Sequence, residues 1–284
     1  MKTISKMLFT LVLVLLAAMG WISVADAERA PEALFINVGK ADATLLWVED
    51  QCFLVDTGTK GSFDSLWQAL TIYQVQRLNG VVITHTDKDH VGGLKKLLKS
   101  GIQIDAVYGG TLFSEEDAQE HPAYTSAMEF GVPFVWLEAG DSIAVGESVF
   151  QVLGPLTLDT ENENNNSLVI NLQTPHGNIL LTGDMELEEE AELMDKQRIP
   201  SATVLKVAHH GEDDATSKRF VLTVKPQWAV ISTSTEEEAD TPDSKIMSRL
   251  WEGKAGIAVT QEAQIGILVT LHNGVATAER IDLQ

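Results

Sequence analysis

Short apolar runs recur at about 33–38, 43–48, 51–55, 80–84, 103–108, 148–153, 167–173, 177–182, 202–207, 227–232 and 264–271, bounded by polar or glycine-bearing turns. Runs this short read as strands. Between them, segments near 62–76, 91–99, 114–129, 186–196, 215–223 and 242–251 read as helices. In Ser65 to Gln76, Leu66, Leu70, Ile72 and Tyr73 fall partly on one face, as expected of a helix packed on a core. The run Glu186, Glu188, Glu189, Glu190 and Glu192 reads as a solvated helix face, with its acids favoured near the helix start. This alternation predicts an α/β fold of two sheets covered by helices. A chain of 284 residues that is 44% apolar can bury a core of that size in one domain.

The ends of four predicted strands carry the candidate chemistry. Val81-Val82-Ile83-Thr84 runs into His85-Thr86-Asp87-Lys88-Asp89-His90, followed by Val91-Gly92-Gly93. Cys52 to Val55 ends in Asp56-Thr57-Gly58, 179–184 ends in Asp184, and 203–211 ends in His209-His210-Gly211. Four of the seven histidines occupy these strand ends, a grouping that scattered solvated histidines would not produce. Imidazoles and carboxylates converging beyond the carboxyl edge of a sheet suit divalent metal, and the spacing after 84 suggests two ions.

Taken together, these motifs resemble the metallo-β-lactamase superfamily, and within it the soluble metallo-hydrolase domain of the ComEC DNA-uptake proteins. The opening pattern FLDVGQGDA of that branch is matched by Phe35-Ile-Asn-Val-Gly-Lys-Ala-Asp-Ala43, and NNxSLV by Asn164 to Val169. LKVxHHG is matched by Leu205 to Gly211, and PxxAVIS by Pro226 to Ser232. The resemblance covers roughly residues 33 to 270 and implies an αββα sandwich of two mixed sheets flanked by helices. There are departures. Asn37 replaces the first Asp, Ala41 a Gly, and Glu212 a Ser, while Asp240-Thr241-Pro242 stands where a later GHP histidine is expected. That histidine belongs to phosphate handling rather than to the core ligands, so its loss bears on nuclease activity and not on metal binding.

The resemblance implies two-metal hydrolysis with Zn²⁺ or Mn²⁺. His85 and Asp87 would hold one ion, Asp89, His90 and His209 the other, and Asp184 would bridge them. Asn164 or Asn165 would stand where lactamase-like relatives place a further histidine. Asp89 would also accept the attacking proton, and His210 would protonate the leaving group or clamp the substrate. Asp56 is expected to orient a ligand, and Lys88 to meet the substrate. Three classes follow: a secreted phosphodiesterase or nuclease, a hydrolase of a neutral ester, lactone or amide, and a metal-binding protein without turnover.

The amino terminus reads as an export signal, residues 1–27, ahead of a hydrolase domain at 28–284. Lys2 and Lys6 precede the apolar stretch Leu8 to Ala18, and Ala25-Asp26-Ala27 fits a cleavage site. An exported chain, secreted or periplasmic, without stable membrane insertion is expected. The alternative is a signal anchor, because Met7 to Ala25 is uncharged and long enough to span a bilayer if uncut. Cys52 is the single cysteine, so no internal disulfide forms, and it reads as a strand residue. Cleavage before residue 28 would remove two of 20 basic and one of 41 acidic residues, leaving 18 and 40, a net charge of −22. Such a surface repels polyanions at long range. Lys88, Lys95, Lys96, Lys99, Lys206, Lys218 and Arg219 lie near the motifs in sequence and are expected to oppose it locally.

Overall fold

The computed structural model describes residues 30–111 and 121–283. The proposed export segment and the first part of the helix expected near 114–129 lie outside the described residues. One sheet has eight described strands, in the order Val275–Ile281, Gly266–His272, Glu32–Ile36, Thr44–Val48, Gln51–Val55, Gly80–Val82, Val107–Gly110 and Phe134–Leu137. The other has seven: Gly256–Val259, Trp228–Ile231, Val204–Lys206, Gly177–Leu181, Val169–Thr174, Ser148–Gly154 and Ser142–Val145. Each sheet is antiparallel on one side and parallel on the other, with the change at Gln51–Val55 in the first and at Gly177–Leu181 in the second.

Three apolar layers hold these sheets together. Phe35, Phe53, Phe150, Leu168 and Ile170 fill the space between the sheets. Leu66, Leu70, Leu94, Leu97 and Ala127 seal helices Phe63–Ile72, Leu94–Lys99 and Pro122–Phe130 onto the first sheet. Leu193, Phe220, Val224, Ile246 and Leu250 seal helices Leu187–Asp195, Lys218–Val224 and Ser244–Glu252 onto the second. Because every strand between two layers is apolar on both faces, the central strands read as unbroken apolar runs. The result is the αββα sandwich.

Four strands of the two large sheets were not anticipated: Phe134–Leu137, Ser142–Val145, Gly256–Val259 and Val275–Ile281. All lie at or next to a sheet edge, where one side is wet and the apolar run is diluted. Two helix expectations also change. The helix from Phe63 stops at Ile72, which is 44% exposed rather than in the core. The glutamate run is not uniformly solvated, since Glu189 and Glu190 share the buried face of Leu187–Asp195 with Leu193 and Met194.

Gly92-Gly93 has a steric purpose at the site. A Cβ on Gly93 would collide with the carbonyl oxygen of Thr57, so glycine lets helix Leu94–Lys99 start directly against the loop that carries Asp56.

Candidate metal centre

The parallel halves of the two sheets aim their carboxyl ends at one region. Val55 is level with Val82 in the first sheet and Leu180 with Leu205 in the second, so the loops that follow all emerge together. The Leu168 amide donates to the Thr84 carbonyl at 2.9 Å, fastening one sheet's loop to the other.

Around this junction, His90 Nε2 lies 3.0 Å and His210 Nε2 3.1 Å from Asp184 Oδ2, and His210 Nε2 is 3.2 Å from Asp89 Oδ2. The ring of His85 lies beside that of His90, tilted by 50° with centroids 4.1 Å apart, and its Nε2 is 4.0 Å from Asp87 Oδ2. Nε2 of His85, His90 and His210 and Oδ1 of Asp184 are buried without a hydrogen-bond partner. Buried polar atoms are rarely left so, and three imidazole nitrogens with a carboxylate oxygen fit a divalent cation. Ligand atoms of Asp89, His90, Asp184 and His210 all fall within 4.8 Å of one another.

Fixed partners behind the rings aim them. His90 Nδ1 donates to Asp56 Oδ2 at 2.8 Å, and Asp56 also accepts from the amide and hydroxyl of Thr84, each at 2.8 Å. His210 Nδ1 donates to the Ser232 carbonyl at 2.9 Å. Both rings therefore turn Nε2 to the centre, as ligating histidines do. Asp56, His209 and His210 hold positive φ of 60°, 45° and 52°, a left-handed backbone that L-residues adopt at a cost and that concentrates at functional sites.

The electrostatics of the cluster are those of a cation cage. Burial would push the His210 imidazole down, but the Asp184 carboxylate overrides it and raises the pKa to about 9. His90 is likewise opposed by burial yet raised well above its usual value by Asp184 and Asp56. Burial also opposes ionisation of Asp89, while the His210 imidazole 3.2 Å away brings it to about 2. His85 is pushed down to about 3 by burial and by His90, against the pull of Asp184 and Asp89. Without metal, protons on His90 and His210 supply part of the positive charge.

The structure separates two residues that are adjacent in sequence. His210 joins the cluster in the place expected for His209, and His209 sits at the rim. There, His209 Nδ1 is 2.9 Å from Asp214 Oδ1 and 3.7 Å from Glu186 Oε1, and its Nε2 lies 3.3 Å from Asn164 Nδ2. The physical reason is the turn Ala208–Gly211. With two consecutive left-handed residues, the alternation of an extended strand no longer says which side chain faces the edge. Asn164 Nδ2 donates to Glu186 at 2.7 Å, whereas Asn165 is turned away to Asp159 and the Glu189 amide. Lys88 is exposed. Lys95 pairs with Glu129, Lys96 and Lys99 lie over the rings of Phe63 and Phe130, and Lys218 and Arg219 pair with Glu252 and Asp195, so these cations are engaged away from the site.

Asp42 and Ser167 carried no expected role, and Lys206 was expected only as a local positive charge. The ammonium of Lys206, fully buried at the back, contacts the Asp42 carboxylate and lies 3.9 Å from Asp184 Oδ1. Asp42 in turn lies 3.9 Å from His90 Nδ1 and 4.0 Å from His210 Nδ1. Ser167 Oγ is 3.4 Å from His85 Nδ1 and accepts from the Asp184 amide at 3.0 Å. All three lie inside the quoted motifs, which was the only signal of their importance.

This fold and this strand-end cluster define a class. Residues 36–234 match the Metallo-beta-lactamase superfamily, and the chain belongs to it. Among similar proteins, ComE operon protein 3 of Bacillus subtilis is 29% identical over 86% of this chain and 32% of its own length. Competence protein ComA of Neisseria gonorrhoeae is 25% identical over 75% of this chain and 28% of its own. The chain thus spans about a third or less of these relatives, in line with the ComEC resemblance. The solved metallo-β-lactamase-fold protein YhfI of Bacillus subtilis superposes with a TM-score of 0.56 at 12% identity, covering 84% of this chain and 99% of that one. No helix among the described residues is long and apolar enough to cross a membrane.

Proposed function

We propose that the chain is a metal-dependent phosphodiesterase using two divalent ions, Zn²⁺ or Mn²⁺. The observation that carries this reading is the set of four buried, partnerless ligand atoms on His85, His90, His210 and Asp184, flanked by Asp87 and Asp89. These six residues would hold the ions, with Asp184, between His90 and His210, as the shared carboxylate. Bound ions would lower the pKa of water toward neutrality and offset charge on the phosphoryl oxygens.

The chain's own residues would do the rest. Asp56 and the Ser232 carbonyl fix the rings of His90 and His210. Asp89, half-exposed and held ionised, can accept the proton of the attacking water. His209, at the rim with Asp214 behind its Nδ1, would protonate the leaving oxygen in place of the buried His210. Kinship with competence proteins supports a phosphodiester substrate, and export would place the enzyme outside the cytoplasm.

A second reading, hydrolysis of a neutral ester or lactone, draws on the acidic rim of Glu186, Glu212 and Asp214 around His209. Purified chain loaded with Mn²⁺ or Zn²⁺ should cleave bis-p-nitrophenyl phosphate and single-stranded DNA. Turnover of a lactone with no phosphodiester cleavage under either metal would replace the first reading by the second.

A further inference from the structure

An ion pair crosses the rim of the candidate site. Lys40 Nζ lies 2.5 Å from Glu212 Oε1, and the two side chains are 22% and 30% exposed. Lys40 belongs to the loop after strand Glu32–Ile36, two residues before Asp42, and Glu212 follows His210 by two. The pair therefore ties the site loop of one sheet to that of the other. Its surroundings hold it in place: the Lys40 amide donates to Glu237 Oε2 at 3.1 Å, and Glu212 Oε1 lies 3.8 Å from His209 Nε2. Partial burial alone would lower the Lys40 pKa, yet Glu212, Glu238 and Asp89 raise it, so the ammonium stays charged within the field of the half-exposed Asp89.

Of the other cations expected near the site, Lys88 is exposed to solvent, and the rest are engaged elsewhere. Lys206 is held at the floor by Asp42, Lys95 by Glu129, and Lys96 and Lys99 by aromatic rings. Both members of the rim pair also stand where the related pattern is uncharged, Lys40 for Gln and Glu212 for Ser, so the two departures meet in one contact.

We propose that Lys40 is the anion-binding residue of this site and Glu212 its built-in competitor, which a phosphate group of the substrate must displace. The inference rests on the phosphodiesterase reading and deepens it. A carboxylate offers Lys40 one ionic contact in a partly wetted place, so its displacement by a phosphoryl group is a modest, tunable cost. The arrangement makes the site selective: an anion that brings no second interaction, at the metals, does not dislodge Glu212.

A double-mutant cycle decides the matter. Metal-loaded wild type, Glu212→Ser, Lys40→Gln and the double variant would be titrated with inorganic phosphate by calorimetry and assayed on bis-p-nitrophenyl phosphate, with metal content and thermal midpoint compared across the four. Glu212→Ser should tighten phosphate binding by about threefold to fivefold and lower KM similarly. Lys40→Gln should weaken binding, and in the double variant the gain from Glu212→Ser should vanish. An equal gain without Lys40 would mean that Glu212 acts as a general repulsive charge and would overturn the proposal, as would no gain at all. Absence of hydrolysis in all four proteins sinks the phosphodiesterase reading instead, and the phosphate cycle still decides the pair by itself.

Discussion

At the floor of the site, Asp42 lies against the Lys206 ammonium, facing two imidazoles, with almost no solvent around any of them. At the rim, His209 is surrounded by Glu186, Glu212 and Asp214, and water reaches all four. Both regions join cations to carboxylates, but they do so in different media. Charges at the floor interact through low dielectric, so their balance persists at any salt concentration, and a missing partner is expensive. Charges at the rim are screened and interchangeable, which suits groups that must let substrate in. The floor sets whether a cation is held, and the rim sets what approaches it.

The sharpest way to break this comparison is to unpair the floor. Lys206→Met keeps the volume and leaves Asp42 buried without its counter-charge, and should cost about 3–5 kcal/mol in denaturant unfolding of the metal-free chain. Adding Asp42→Asn should recover most of that loss. If Lys206→Met costs no more than removal of the Lys40–Glu212 pair, under about 1 kcal/mol, floor and rim are electrostatically alike.

pH gives the next largest effect. His210 is raised to about 9 in the folded chain from 6.5, so its protonation stabilises metal-free protein fully below pH 6.5, and that contribution is lost as pH rises through about 9. The loss is on the order of 3 kcal/mol for this group. His210→Gln should flatten that part of the stability profile, and an unchanged profile would show that His210 is not the proton holder. Because metal must displace the same proton, cation affinity should climb over this range of pH.

A smaller effect tests a buried acid that the chemistry does not use. Both carboxyl oxygens of Glu189 are buried without partners, and burial, followed by the Glu192 charge, raises its pKa well above the usual value. A raised carboxyl pKa favours the fold below the unfolded value and penalises it as pH rises through the folded one. Glu189→Gln should therefore stabilise the chain by about 1–2 kcal/mol near neutrality and by less in acid. Equal effects at both pH values would mean that Glu189 is ionised inside the fold.

The central architecture was legible because strands buried on both faces leave unbroken apolar runs, and because the site residues stand at the ends of those runs. His85, Asp87, Asp89, His90 and Asp184 could be placed on that ground. Edge strands such as Val275–Ile281 were not, since their solvent side dilutes the apolar signal. His209 and His210 were exchanged because two left-handed residues in succession undo strand alternation, and nothing local in the sequence announces that backbone. The Asp42–Lys206 pair escaped for a different reason. Asp42 lies in a loop of the first sheet and Lys206 on a strand of the second, and each alone reads as an ordinary charge.

Metal stoichiometry in wild type, His209→Ala and His210→Ala, by elemental analysis after identical loading and desalting, tests the two-ion centre most directly. Two ions are expected in wild type and in His209→Ala, and at least one should be lost from His210→Ala. A wild type that retains no metal, or a loss confined to His209→Ala, would contradict the centre built on His85, Asp87, Asp89, His90, Asp184 and His210.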